Sequence, residues 1–93
     1  MSSPSRRKVV LTPRFINDYE AHLSGIHRAE EALDGFKEVV ARQPEYGMSA
    51  PGGPPEALVR PIHPPGHAFV IAYTYDDDRV YLFALRPVPA DPF

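Results

Sequence analysis

Phe69–Leu85 reads FVIAYTYDDDRVYLFAL, two β-rich runs either side of a short acidic turn. In Phe69–Tyr75 the residues Phe69, Ile71, Tyr73 and Tyr75 alternate with Val70, Ala72 and Thr74. Side chains point to opposite faces with a period of two, so a strand here carries its bulky groups on one face and smaller ones on the other. Both sets are apolar enough for both faces to be at least partly covered. Val80–Leu85 (VYLFAL) repeats the composition, and the polar Asp76–Arg79 between the runs suits a hairpin turn. The C-terminal half is therefore expected to be an antiparallel sheet.

Working upstream, Leu58–Arg60 is a third short β-rich run, cut by Pro61 and followed by a turn at His63–Gly66 (HPPG). Proline has no N–H to donate to a ladder, so Pro61 implies an edge strand or a bulge. The stretch 45–56 is rich in Pro and Gly without an apolar period, and reads as a loop. Before it the spacing becomes helical. Phe15, Tyr19 and Leu23 are four apart with Ile16 beside them, and Ile26, Ala29, Leu33, Phe36 and Val40 form a second stripe opposite Arg28, Glu31, Asp34, Glu38 and Arg42. Thr12-Pro13 starts the first helix, Ser24-Gly25 separates the two, and Gln43-Pro44 ends the second. Val9–Leu11 is short, apolar and partly β-branched, as a strand would be.

The expected class is α+β: an N-terminal strand, an αα-hairpin, then a three-stranded antiparallel meander, all in one sheet with the helices on one face. Residues 1–8 read as a flexible lead ending in the basic Arg6-Arg7-Lys8, residues 9–86 as a single domain, and residues 87–93 as a tail beginning where Pro87 and Pro89 stop the last strand.

Composition narrows the function classes. Ninety-three residues suit one core. The absence of cysteine excludes a disulfide framework, a thiolate zinc site and a thiol nucleophile. No run approaches the roughly 18 apolar residues of a membrane helix, and Met1–Lys8 has no apolar stretch behind its charge, so neither a membrane partner nor secretion is expected and a cytoplasmic location is. Ten Lys/Arg against twelve Asp/Glu leave a net charge of −2. Phosphate binding is driven by cationic groups that release counterions, so a nucleic-acid role would need the basic residues gathered on one face.

Certain segments, taken in order, are similar to the RelE/ParE toxin superfamily of type II toxin–antitoxin systems. They are Val9–Pro13 (VVLTP), Pro44–Gly47 (PEYG), Leu58–Arg60 (LVR), Phe69–Asp78 (FVIAYTYDDD) and Val80–Arg86 (VYLFALR). The resemblance implies a toxin-like, growth-inhibiting subunit of the kind linked to plasmid stabilization, neutralised by a cognate antitoxin in a hetero-oligomer. Two mechanisms follow from it. RelE-like members cleave mRNA on the ribosome with basic residues, whereas ParE-like members inhibit DNA gyrase by protein–protein interaction.

For the nuclease alternative the resemblance carries over Arg60 and Arg86, whose guanidinium groups would stabilise charge developing on a phosphate without a metal. The plain reading is two strand arginines paired with local acids such as Glu56. The rest of that nuclease set is missing here: the loop Met48–Glu56 holds no lysine, Val70 and Thr74 stand where the central strand often carries basic groups, and no Tyr or His follows Arg86. These departures favour ParE-like inhibition or a degenerate toxin. A third alternative is a non-toxic interaction module with the same fold. The small side chains of Val70, Ala72 and Thr74, with Tyr73 beside them, are the expected partner-binding groove.

Other features read as structure. His63 and His67 flank Pro64-Pro65-Gly66, which forbids the helix that would align them on a metal, and His22 and His27 straddle the helix break. Asp76–Asp78 lacks the further ligands of a calcium loop. Tyr73 and Tyr75 could stack on a base, but packing is the favoured reading. No metal and no cofactor is expected.

Overall fold

The computed structural model describes residues 6–49 and 57–88. The elements run β1 (Lys8–Leu11), α1 (Pro13–His22), α2 (Ala29–Arg42), a 3₁₀ turn (Pro44–Tyr46), β2 (Met48–Ser49), β3 (Leu58–Ile62), β4 (Phe69–Tyr75) and β5 (Arg79–Pro87). The α+β class holds, with two α-helices and a five-stranded sheet among the described residues, in the order β1-β5-β4-β3-β2. Of the expected lead (1–8), loop (45–56) and tail (87–93), residues 1–5, 50–56 and 89–93 lie outside the described residues, while Lys8 opens β1 and Pro87 closes β5.

The layout goes beyond the expected N-terminal strand and three-stranded antiparallel meander in two ways: a fifth strand is present, and the first strand, whose direction the sequence leaves open, runs parallel to its neighbour. Met48–Ser49, expected as loop, is a two-residue strand paired antiparallel with Val59 and Leu58. β1 lies parallel to β5, Lys8 opposite Arg79 and Leu11 opposite Leu82, so the sheet is mixed. The meander itself is present: β3 pairs antiparallel with β4, and β4 with β5. Pro61 sits in β3 opposite Val70 and beyond the two residues that pair with β2.

Thr12 joins helix to sheet. Its side chain caps α1 by accepting from the Phe15 N–H at 3.3 Å, and its hydroxyl and backbone N–H both donate to the Leu82 carbonyl, at 2.9 and 3.1 Å. Pro13 follows at the first helical position, where its lack of an N–H is harmless. Past Leu11, β5 has no strand partner on that side among the described residues, and α1 supplies an acceptor: the Asp18 carboxylate accepts from the Leu85 N–H at 3.0 Å. Gly25, at φ 84°, takes the left-handed turn that ends the first helix. α2 begins three residues later than the apolar stripe suggests, at Ala29, with Arg28 left-handed at φ 61° and no side-chain cap. Glu30 and Glu31 in its first turn oppose the positive end of the helix dipole.

The core lies between sheet and helices. Phe15 and Leu23 of α1's stripe meet Leu33, Phe36 and Val40 from α2 and Ile62, Phe69, Ile71, Tyr73, Val80, Leu82 and Leu85 from the sheet. Leu82 and Leu85 are three apart yet share a face, because the register shifts after Leu82: Tyr73 pairs with Leu82 and Ala72 with Ala84, leaving Phe83 as the extra residue of a bulge.

The basic lead is tied down where it is described. The Arg7 N–H donates to the Ala41 carbonyl at 2.7 Å, its Nε to the Asp76 carbonyl at 2.8 Å, and its guanidinium lies 5.3 Å from the Tyr75 ring centroid. Arg6 pairs with Glu38 at 2.6 Å.

Candidate functional site

Strand register decides which candidate residues can act together, since cross-strand partners share a face. Arg60 is paired with Ile71, which is fully buried against the helices. Arg86 is paired with Val70, on the opposite face. The two arginines therefore point to opposite sides of the sheet and do not converge on one phosphate. Arg60 is half-buried at the end of α2, where its guanidinium donates to the Gln43 carbonyl at 3.3 Å. That position offsets the negative end of the helix dipole. Arg86 is exposed and makes no side-chain hydrogen bond among the described residues.

Tyr73 separates from Val70, Ala72 and Thr74 in the same way. Its ring is buried edge-on against Phe36, with centroids 6.2 Å apart at 83°. Its hydroxyl donates to the Pro44 carbonyl at 2.6 Å. Burial raises its pKa, against a smaller lowering by Arg60, so it stays a neutral donor at physiological pH. It anchors the chain after α2 and does not line a groove.

Val70, Ala72 and Thr74 do share a face, and the register extends it. Met48, Val59, Ala72 and Ala84 form one row across β2, β3, β4 and β5. Thr74 continues through Tyr81 to Val10, and Pro61 through Val70 to Arg86. Both helices pack on the other side, so this face is apolar in its middle row, carries Arg86 at one border, and is covered by no helix among the described residues. Met48 is 73% exposed at its edge. The sequence reading missed Met48 and Val59, because only the β3–β4 pairing sets Val59 beside Ala72 and only the β2–β3 pairing adds Met48.

The remaining candidates are structural. His63 and His67 are exposed around a turn in which the His67 N–H donates to the Pro64 carbonyl at 2.9 Å, and the His67 ring stacks on Phe69. No group of three potential metal ligands occurs among the described residues. The Asp76 carboxylate accepts from the N–H groups of Asp78 and Arg79, each at 2.8 Å, which closes the β4–β5 turn and holds its pKa below the usual aspartate value.

Comparison with family models, with curated proteins and with solved structures returns no match for this chain.

Proposed function

We propose that this chain is the toxin-like subunit of a type II toxin–antitoxin pair of RelE/ParE type, acting in the cytoplasm by binding a macromolecular target in the manner of gyrase inhibition. Its cognate antitoxin covers the open sheet face. The observation that carries this reading is the apolar row Met48–Val59–Ala72–Ala84, on a face that no helix covers among the described residues, exposed at Met48, half-buried at Val59 and Ala72 and buried at Ala84, with Arg86 at its border. Extended apolar surface left in water favours a partner that removes it. Arg86 offers a cation to an acidic partner residue.

The arrangement supports the kinship: the first strand is taken into a sheet built from the C-terminal half, and both helices lie on one face. Ribosome-dependent mRNA cleavage by Arg60 and Arg86 gains no support, because the pair straddles the sheet. Induced expression in a bacterial host tests the reading. Growth arrest with a DNA-damage response and intact mRNA, relieved by co-expression of the product of an adjacent small reading frame, is the expected result. Rapid mRNA loss would point to the nuclease, and normal growth to a non-toxic interaction module.

A further inference from the structure

An open groove of about 890 Å³ lies between α1 and α2. Its floor is apolar: Phe15, Leu23 and Leu33 are buried at the bottom, Tyr19 and Ile26 are half-buried, and Ile16 is 42% exposed. Its rim is acidic, with Glu20 on α1 facing Glu30, Glu31 and Asp34 on α2. Arg28 pairs with Glu31, and Lys37 lies 3.6 Å from Asp34. Glu20 and Glu30 have no ion-pair partner among the described residues.

Negative potential reaches into the groove. Burial raises the Tyr19 pKa first, and Glu30 and Asp34 raise it further, as carboxylates do when they oppose a second negative charge. α1 is ten residues long, so the groove runs for about 15 Å, the length of some three helical turns.

From the apolar floor, the two uncompensated acids and this length we infer that the groove docks an amphipathic helix of a partner protein, with an aliphatic stripe flanked by Lys or Arg. The stripe, spaced i, i+3/i+4, i+7, packs on Ile16, Tyr19 and Ile26, and the flanking cations meet Glu20 and Glu30. This surface lies across the sheet from the open face described above. The inference does not depend on the toxin reading.

The test uses three fluorescein-labelled 14-residue helical peptides that share a Leu stripe and carry Lys, Gln or Glu beside it. Each is titrated with the full chain by fluorescence anisotropy at low and at physiological salt. The expected order of affinity is Lys over Gln over Glu, with the Lys peptide about tenfold tighter than the Glu peptide, a gap that narrows as salt screens the rim. Ile16→Asp abolishes binding of all three, and because Ile16 is exposed the variant keeps the wild-type melting curve. Glu20→Gln with Glu30→Gln removes the Lys preference but retains the Gln peptide. Equal binding of the three peptides, no binding, or no effect of Ile16→Asp overturns the inference. So does self-association by sedimentation that Ile16→Asp abolishes, since the groove would then hold a second copy of this chain.

Discussion

The hydroxyl of Tyr73 donates to the carbonyl of Pro44 at 2.6 Å, tying the middle of the central strand to the first residue of the 3₁₀ turn that follows α2. Around that bond the packing leaves no room. A Cβ on Gly47 would collide with the Tyr73 hydroxyl and lie 3.0 Å from the Leu58 Cβ. Removing the hydroxyl leaves the Pro44 carbonyl unpaired in the interior, and a lost buried hydrogen bond costs about 1–3 kcal/mol. Tyr73→Phe is expected to lower unfolding free energy by that amount in urea titrations. Gly47→Ala is expected to cost more in the wild-type background than in Tyr73→Phe, where part of the collision has gone. Additive effects of the two substitutions would contradict this coupling.

Thr12 and Asp18 together replace the strand that β5 lacks beyond Leu11. Thr12→Ala removes both a helix cap and a bond to the Leu82 carbonyl, and about 1–2 kcal/mol of destabilisation is expected. Asp18→Leu leaves the Leu85 N–H without its acceptor, so amide exchange at Leu85 is expected to accelerate selectively. Unchanged protection at Leu85 would show that the carboxylate is not its partner in solution.

The two arginines are expected to behave differently in stability assays. Arg60→Ala removes a donor from the Gln43 carbonyl at the end of α2, with an expected loss of about 0.5–1 kcal/mol after allowance for its partial exposure. Arg86→Ala touches no described partner and is expected to change stability by less than about 0.5 kcal/mol. On the proposed toxin reading it is instead expected to weaken capture of an antitoxin in a pull-down, as is Ala72→Glu, which places a charge in the middle of the apolar row.

Asp76 sets the expected response to acid. Its pKa is lowered in the folded chain chiefly by the N–H groups of Asp78 and Arg79, so the turn is favoured while the carboxylate is charged. The unfolded state binds the proton more readily, and the contribution is therefore complete above the ordinary aspartate value and lost as pH falls through the lowered one. Acid titration by NMR is expected to place the Asp76 midpoint below the ordinary aspartate value. In Asp76→Asn, stability is expected to depend less on pH in that acidic window, because no carboxylate remains to be protonated.

Periodicity carried most of the core. The stripes through Phe15, Leu23, Leu33, Phe36 and Val40, and the alternation of Phe69, Ile71 and Tyr73, all face inward. What escaped was set by pairing, which a linear pattern does not contain. β2 is two residues long and exists through Val59 and Leu58. The Phe83 bulge puts Leu85 in the core, where strict alternation from Leu82 would place Ala84. The candidate site suffered most from the same blindness. Arg60 and Arg86 look equivalent as basic residues on neighbouring β-rich runs, yet only the partners Ile71 and Val70 reveal that they face apart.

Placing the first strand against the last has a kinetic consequence for synthesis. Lys8–Leu11 and the helix that follows emerge from the ribosome long before Arg79–Leu82, the segment against which they lie. Until then Thr12 has no Leu82 carbonyl and Phe15 no sheet to cover. The N-terminal third therefore waits, apolar and unpaired, for closure of a loop spanning most of the chain, and pairings so distant in sequence form slowly. A nascent chain stalled before Leu82 would expose that apolar surface and be prone to aggregate.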